Sequence, residues 1–141
     1  MRKARRILIG LKTYDHAVEL TDLACRVGAP EASLLLAHVI ELPDPTPLDA
    51  DVPEMEAEAK RILRAAERVA KRSRMKVSKL VFRAHNAGEA LLEEMKHKRI
   101  DLAVLGYHHR RTFGEILLGT TAKHLSHHAP CNLLLSIPMR Q

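Results

Sequence analysis

Apolar residues in this chain follow two periodicities that alternate from one end to the other, and this alternation sets the fold. Residues 6–11, 33–40, 77–82, 102–105 and 132–137 are short Leu-rich or β-branched runs that read as strands. Between them, apolar positions recur every three or four residues, as on one face of a helix. They are Ala17, Leu20, Ala24 and Val27; then Met55, Ala59, Ile62, Leu63, Ala66, Val69 and Ala70; then Leu91, Leu92 and Met95; then Leu118, Ala122, Leu125 and Ala129. The order β-α-β-α-β-α-β-α-β predicts a parallel sheet with helices on both faces and right-handed crossovers. The second strand is apolar almost throughout, as a strand buried on both faces is.

Turn chemistry supports the same division. Asp15 is placed to N-cap the first helix, and Gly28 with Pro30 stops it. Pro43, Pro45, Pro47 and Pro53 fall within eleven residues and exclude helix or central strand, so this stretch is a surface loop. Glu89 opens the third helix, and Pro130 closes the fourth.

A length of 141 residues fits one domain, spanning 1–141, with a core that needs neither disulfide nor metal. Hydrophobic residues are 46% and charged residues 28%, which excludes a disordered tail or a fibre. No stretch approaches the roughly 18 apolar residues of a membrane helix. The basic start, Met1-Arg2-Lys3-Ala4-Arg5-Arg6, precedes an apolar run too short for a signal-peptide core, so a cytoplasmic protein with no membrane partner is expected. Lys plus Arg outnumber Asp plus Glu by 23 to 17, a net charge of +6 that favours anionic partners. Aromatics are only 3%, too few to stack successive bases, so nucleic acid is not the expected partner. Cys25 and Cys131 form no C-x-x-C pair and read as buried, inert thiols.

Phosphate-loop, dinucleotide, nucleophile-elbow and H-E-x-x-H signatures are absent. Lys76-Val77-Ser78-Lys79-Leu80 loosely matches a synthetase lysine loop, but it sits inside a strand and has no partner motif. His124, His127 and His128 share helical spacing, and His108 and His109 precede that helix. No Cys or carboxylate joins them at ligand spacing, so they read as a helix end favoured by its dipole rather than a metal site. The basic face of the second helix, with Lys60, Arg61, Arg64, Arg68, Lys71 and Arg72, is interleaved with Glu56, Glu58 and Glu67 and reads as solvated.

Residues 104–137 are the most informative stretch. A strand ends at Gly106, a loop of about a dozen residues follows, and a helix begins near Gly119-Thr120-Thr121. Backbone N–H groups and the positive end of a helix, beside glycine and hydroxyls, favour a phosphate.

The chain resembles the universal stress protein family over nearly its whole length. The resemblance rests on Ile7-Leu8-Ile9-Gly10-Leu11, Leu36-Ala37-His38-Val39-Ile40, Ile100-Asp101-Leu102-Ala103-Val104-Leu105-Gly106, Leu117-Leu118-Gly119-Thr120-Thr121 and the stretch from His127 through Ala129-Pro130-Cys131 to Leu135. It implies an open five-stranded parallel sheet of order 3-2-1-4-5, of the adenine nucleotide alpha hydrolase-like kind, and a homodimer. One branch of the family binds ATP through G-x2-G-x9-G-[ST]. Here the motif is Gly106-x2-His109-x9-Gly119-Thr120, with His109 in place of the second glycine. Lys12 stands where ATP-binding members carry an Asp on the adenine and ribose side, and His85 stands where a glycine is common. ATP should therefore bind more weakly than in relatives with intact glycines.

For order 3-2-1-4-5, strand order reverses between strands 1 and 4, where ligands of open parallel sheets bind. Lys12, His109, Arg110, Arg111 and Lys123 would make that crevice positive. The candidate ligand residues are Leu11, Lys12, Gly106, His109, Arg110, Gly119, Thr120 and Thr121, with Val39 near the base. Their occupant would be ATP or another phosphorylated small molecule; no other cofactor, no metal and no catalytic residue is expected. The chain thus reads as a dimeric stress-response binding module, not a catalyst. The competing readings are a slow ATPase, with Glu115 as the only acid in the loop, and an anion or nucleic-acid binder using the basic helix. The uncharged run Leu133-Leu134-Leu135, between Asn132 and Ile137, is the expected dimer edge.

Overall fold

The computed structural model describes residues 3–106 and 120–137. Strands β1 (Ala4–Gly10), β2 (Gly28–Glu41), β3 (Lys76–Ala84), β4 (Leu102–Gly106) and β5 (Asn132–Ser136) alternate with helices α1 (Tyr14–Val27), α2 (Pro53–Ala70), α3 (Ala87–His97) and α4 (Thr120–His128). All strand pairs are parallel, and their order across the sheet is β3-β2-β1-β4-β5. β1 is central, and Gly10 pairs with Ala37 on one side and Leu105 on the other.

Alternate side chains of the central strands enter two cores. Ile7, Ile9, Leu34 and Leu36 pack against Ala17, Leu20 and Ala24 of α1 and Ile62 and Ala66 of α2. Leu8, Leu35, Ala37, Ala103 and Leu105 pack against Leu91 and Met95 of α3 and Leu125 of α4. A strand buried on both sides has no polar face to show, which is why β1 and β2 are nearly continuous apolar runs.

Element starts differ from the sequence reading where a distant contact sets them. α1 begins at Tyr14 with Thr13 at the N-cap, and Asp15 lies inside the first turn as an acid near the positive helix end. β2 begins at Gly28, not Ser33, because the segment jumps register against β1: Ala4 pairs with Gly28, then Arg6 with Ser33. Glu31 takes a φ of 64° in this irregular stretch, where Pro30 costs no ladder bond. α3 begins at Ala87, two residues before Glu89, because Asn86 is the N-cap and its Oδ1 accepts from Glu89 N–H at 3.0 Å. The proline-rich segment is a loop, pinned by Arg83, which donates to the carbonyls of Leu48 and Ala50 and pairs with Glu56.

Cys25 and Cys131 are half-buried rather than buried. Burial pushes both thiols above their ordinary value, keeping them protonated and poorly nucleophilic. No helix among the described residues is long and apolar enough to cross a membrane.

Candidate functional site

The carboxyl ends of β1, β2 and β4 open into a cleft roofed by the starts of α1, α3 and α4. It encloses about 680 Å³ of space, counting the part open to solvent. Its walls include Leu11, Val39 and Leu91, and its rim carries Lys12, His16, Glu41 and Thr121. The position follows from topology, since β1 and β4 are neighbours whose crossovers leave in opposite directions.

Two tethers hold the β1 end of the cleft. Leu11 N–H donates to Ala37 O at 2.8 Å, and the ring of His38 donates from Nδ1 to Leu11 O at 2.6 Å. A carbonyl only accepts, so this bond requires a proton on Nδ1 of His38, a buried residue. With both backbone groups of Leu11 bonded to β2, the chain turns sharply and leaves Lys12 exposed on the rim.

The floor at β4 depends on a close approach. A Cβ on Gly106 would lie 2.8 Å from Nδ1 of His16 and 3.3 Å from Leu20 Cδ1. Glycine at 106 therefore lets α1 bring His16 down onto the strand end.

On the β2 side, Glu41 does a specific job. Its Oε2 accepts from Ala87 N–H at 2.6 Å, so a carboxylate of the chain itself occupies the N-terminus of α3. His85 donates from Nδ1 to Leu42 O at 3.0 Å and fixes the same corner. The N-terminus of α4, with Thr121 in the cleft wall, has no acidic residue in its first turn. Among the described residues the cleft thus has an apolar interior, one exposed cation at Lys12 and, at α4, a helix start free of acidic side chains.

Among the residues expected from sequence, Leu11, Lys12, Val39, Gly106 and Thr121 come together in this cleft. Thr120 is exposed and does not line it. His109, Arg110 and Gly119 lie outside the described residues, as do Arg111 and Glu115. Sequence reasoning missed His16, His38 and Glu41. The signal for His38 was present: it is a polar residue inside an otherwise apolar strand. The rings of His124 and His128 lie tilted against each other with centroids 4.7 Å apart, and no group of three or more potential metal ligands exists among the described residues.

A sequence model of the universal stress protein family matches residues 3–136. The chain belongs to the universal stress protein family. No curated protein matches it significantly in sequence. Solved structures give the same fold. A universal stress protein crystallised with cAMP is 20% identical, with a TM-score of 0.74, covering 98% of this chain and 100% of its own. The Archaeoglobus fulgidus protein in complex with dAMP is 15% identical, with a TM-score of 0.68, covering 95% of this chain and 98% of its own. An Arabidopsis thaliana family member with AMP bound is also 15% identical, with a TM-score of 0.66, covering 95% of this chain and 92% of its own.

Proposed function

We propose that this universal stress protein binds a nucleotide or another phosphorylated small molecule in the cleft at the strand ends, and acts in the cytoplasm as a homodimeric regulatory module. The observation that carries the reading is the division of the cleft into an apolar interior and a polar rim that carries the exposed Lys12. A flat apolar group fits against Leu11, Val39 and Leu91, and a phosphate fits between Lys12 and the start of α4. Family members crystallised with cAMP, dAMP and AMP support the ligand class. On the resemblance, the motif positions His109 and Gly119 belong to the phosphate side, and Arg110 beside them would add charge.

Glu41 is the one carboxylate among the described lining residues, and it is bonded to Ala87 N–H.

Calorimetric titration tests the reading. AMP should bind, and Lys12→Gln should weaken it about tenfold, the usual worth of one charge-assisted contact. ATP should bind more weakly than in relatives with intact glycines, and His109→Gly should strengthen it. Absence of any nucleotide binding at millimolar concentration overturns the proposal.

A further inference from the structure

In an all-parallel sheet, every strand starts at the same end at which the helices finish. That end, opposite the cleft, carries Arg5, Arg6, Lys76, Lys98 and Arg99. A second cleft opens there, with about 500 Å³ of space including the part open to solvent. Arg6, Ser33, Ser78 and Lys98 line it above an apolar floor that includes Leu35 and Ile100.

We infer that this cleft is a second anion site, which takes one phosphate group between Arg6 and Lys98. Neither side chain makes an ion pair or a hydrogen bond among the described residues. The nearby acid does not neutralise Arg6 through its side chain. Both carboxylate oxygens of Asp101 accept from backbone, from Arg5 N–H at 2.9 Å and Arg6 N–H at 3.0 Å. The Ser33 hydroxyl has no partner among the described residues, and Ser78 Oγ makes one long bond of 3.4 Å to Leu34 O. Two cations and two hydroxyl donors therefore face a space with no carboxylate in its lining.

A phosphate dianion matches this set in charge, and its oxygens can accept from a guanidinium fork, an ammonium and both hydroxyls. A carboxylate would leave one cation unmatched. The closing end of α3 lies beside the cleft and its carbonyls oppose an anion, but Lys96 in the last turn and Lys98 at the C-cap offset that field. The site is independent of the nucleotide cleft. Arg6 and Gly10 are four strand residues apart, about 13 Å, and Leu8 with Leu35 fills the interior between them.

The experiment is an amide-resonance titration of the whole isotope-labelled chain, with orthophosphate and glycerol 3-phosphate as separate probes. Saturable shifts at residues 6–7, 33–35, 78 and 98–100 are expected with at least one of them. A preference for glycerol 3-phosphate assigns the site to phosphomonoesters, and equal affinity assigns it to free phosphate. Arg6→Gln and Lys98→Gln should each weaken binding about tenfold, while Lys12→Gln leaves these shifts unchanged. Both altered side chains extend into solvent, and the unshifted resonances of β5 and α2 report that each variant is folded. Shifts confined to the nucleotide cleft, shifts that never saturate, or full affinity in the Arg6→Gln, Lys98→Gln double variant overturn the inference.

Discussion

Glu41 shows how one side chain can set both the shape and the charge of a ligand cleft. Its carboxylate holds Ala87 N–H and so fixes where α3 begins. The same charge lies on the rim of the cleft and occupies the start of α3, which leaves α4 as the helix start open to an anion. The two roles separate by substitution. Glu41→Gln keeps an oxygen acceptor for Ala87 and removes the charge, so AMP binding should tighten with little loss of stability. Glu41→Ala removes both, and urea unfolding should show a loss of about 1 kcal/mol, the usual worth of a helix cap. Unchanged AMP affinity in both variants would mean that Glu41 does not face the ligand. Gly106 acts by omission: any side chain there would displace the His16 ring from the end of β4.

At the scale of elements, Glu67 ties α2 to β3. It pairs with Lys79 of β3 at 3.1 Å and with Lys71, just past α2, at 3.8 Å. The hydrogen bond from Lys79 holds its carboxyl below the ordinary value of 4.5, with the charges of Lys71 and Lys79 adding to the effect against partial desolvation. A carboxyl lowered in the folded state contributes stability above its unfolded value and loses it as pH falls through the folded one. Glu67→Gln should therefore lower the urea midpoint at pH 7, and the difference should shrink as the pH falls below the ordinary carboxyl value of 4.5. Because the bridge is solvent-facing, salt should shrink the difference too. The strands were legible in sequence because burial on two faces leaves runs such as Ile7-Leu8-Ile9 with no polar interruption. Helix starts were less legible because partners far away in sequence help set them. Glu41 lies 46 residues from Ala87, and no local pattern reveals that bond. Leu11, Lys12, Val39 and Gly106 were readable as cleft residues because strand ends carry them there directly. His16 was not, since its place depends on how closely α1 returns over Gly106.

At the scale of the whole molecule, the sheet has two outer strands with different chemistry. β3 carries Lys76, Lys79 and Arg83, and charge on an edge strand discourages pairing with another sheet. β5 reads Asn-Leu-Leu-Leu-Ser, with no charge along its length, and pairs with β4 on one side only. Leu133 and Leu135 lean on the α3–α4 core and Leu134 on the opposite one, so β5 is braced on both faces but open along its edge. A second copy related by a two-fold axis would bring two β5 edges together antiparallel, closing both at once and joining the sheets into one of ten strands. Sedimentation at micromolar concentration should thus report a dimer. Leu134→Lys places a charge at the centre of that junction, and its two copies would repel across the axis. The variant should sediment as a monomer while circular dichroism shows helix and strand retained. A parent chain that is monomeric at micromolar concentration would overturn the edge-pairing argument, and so would a dimer that survives Leu134→Lys unaltered.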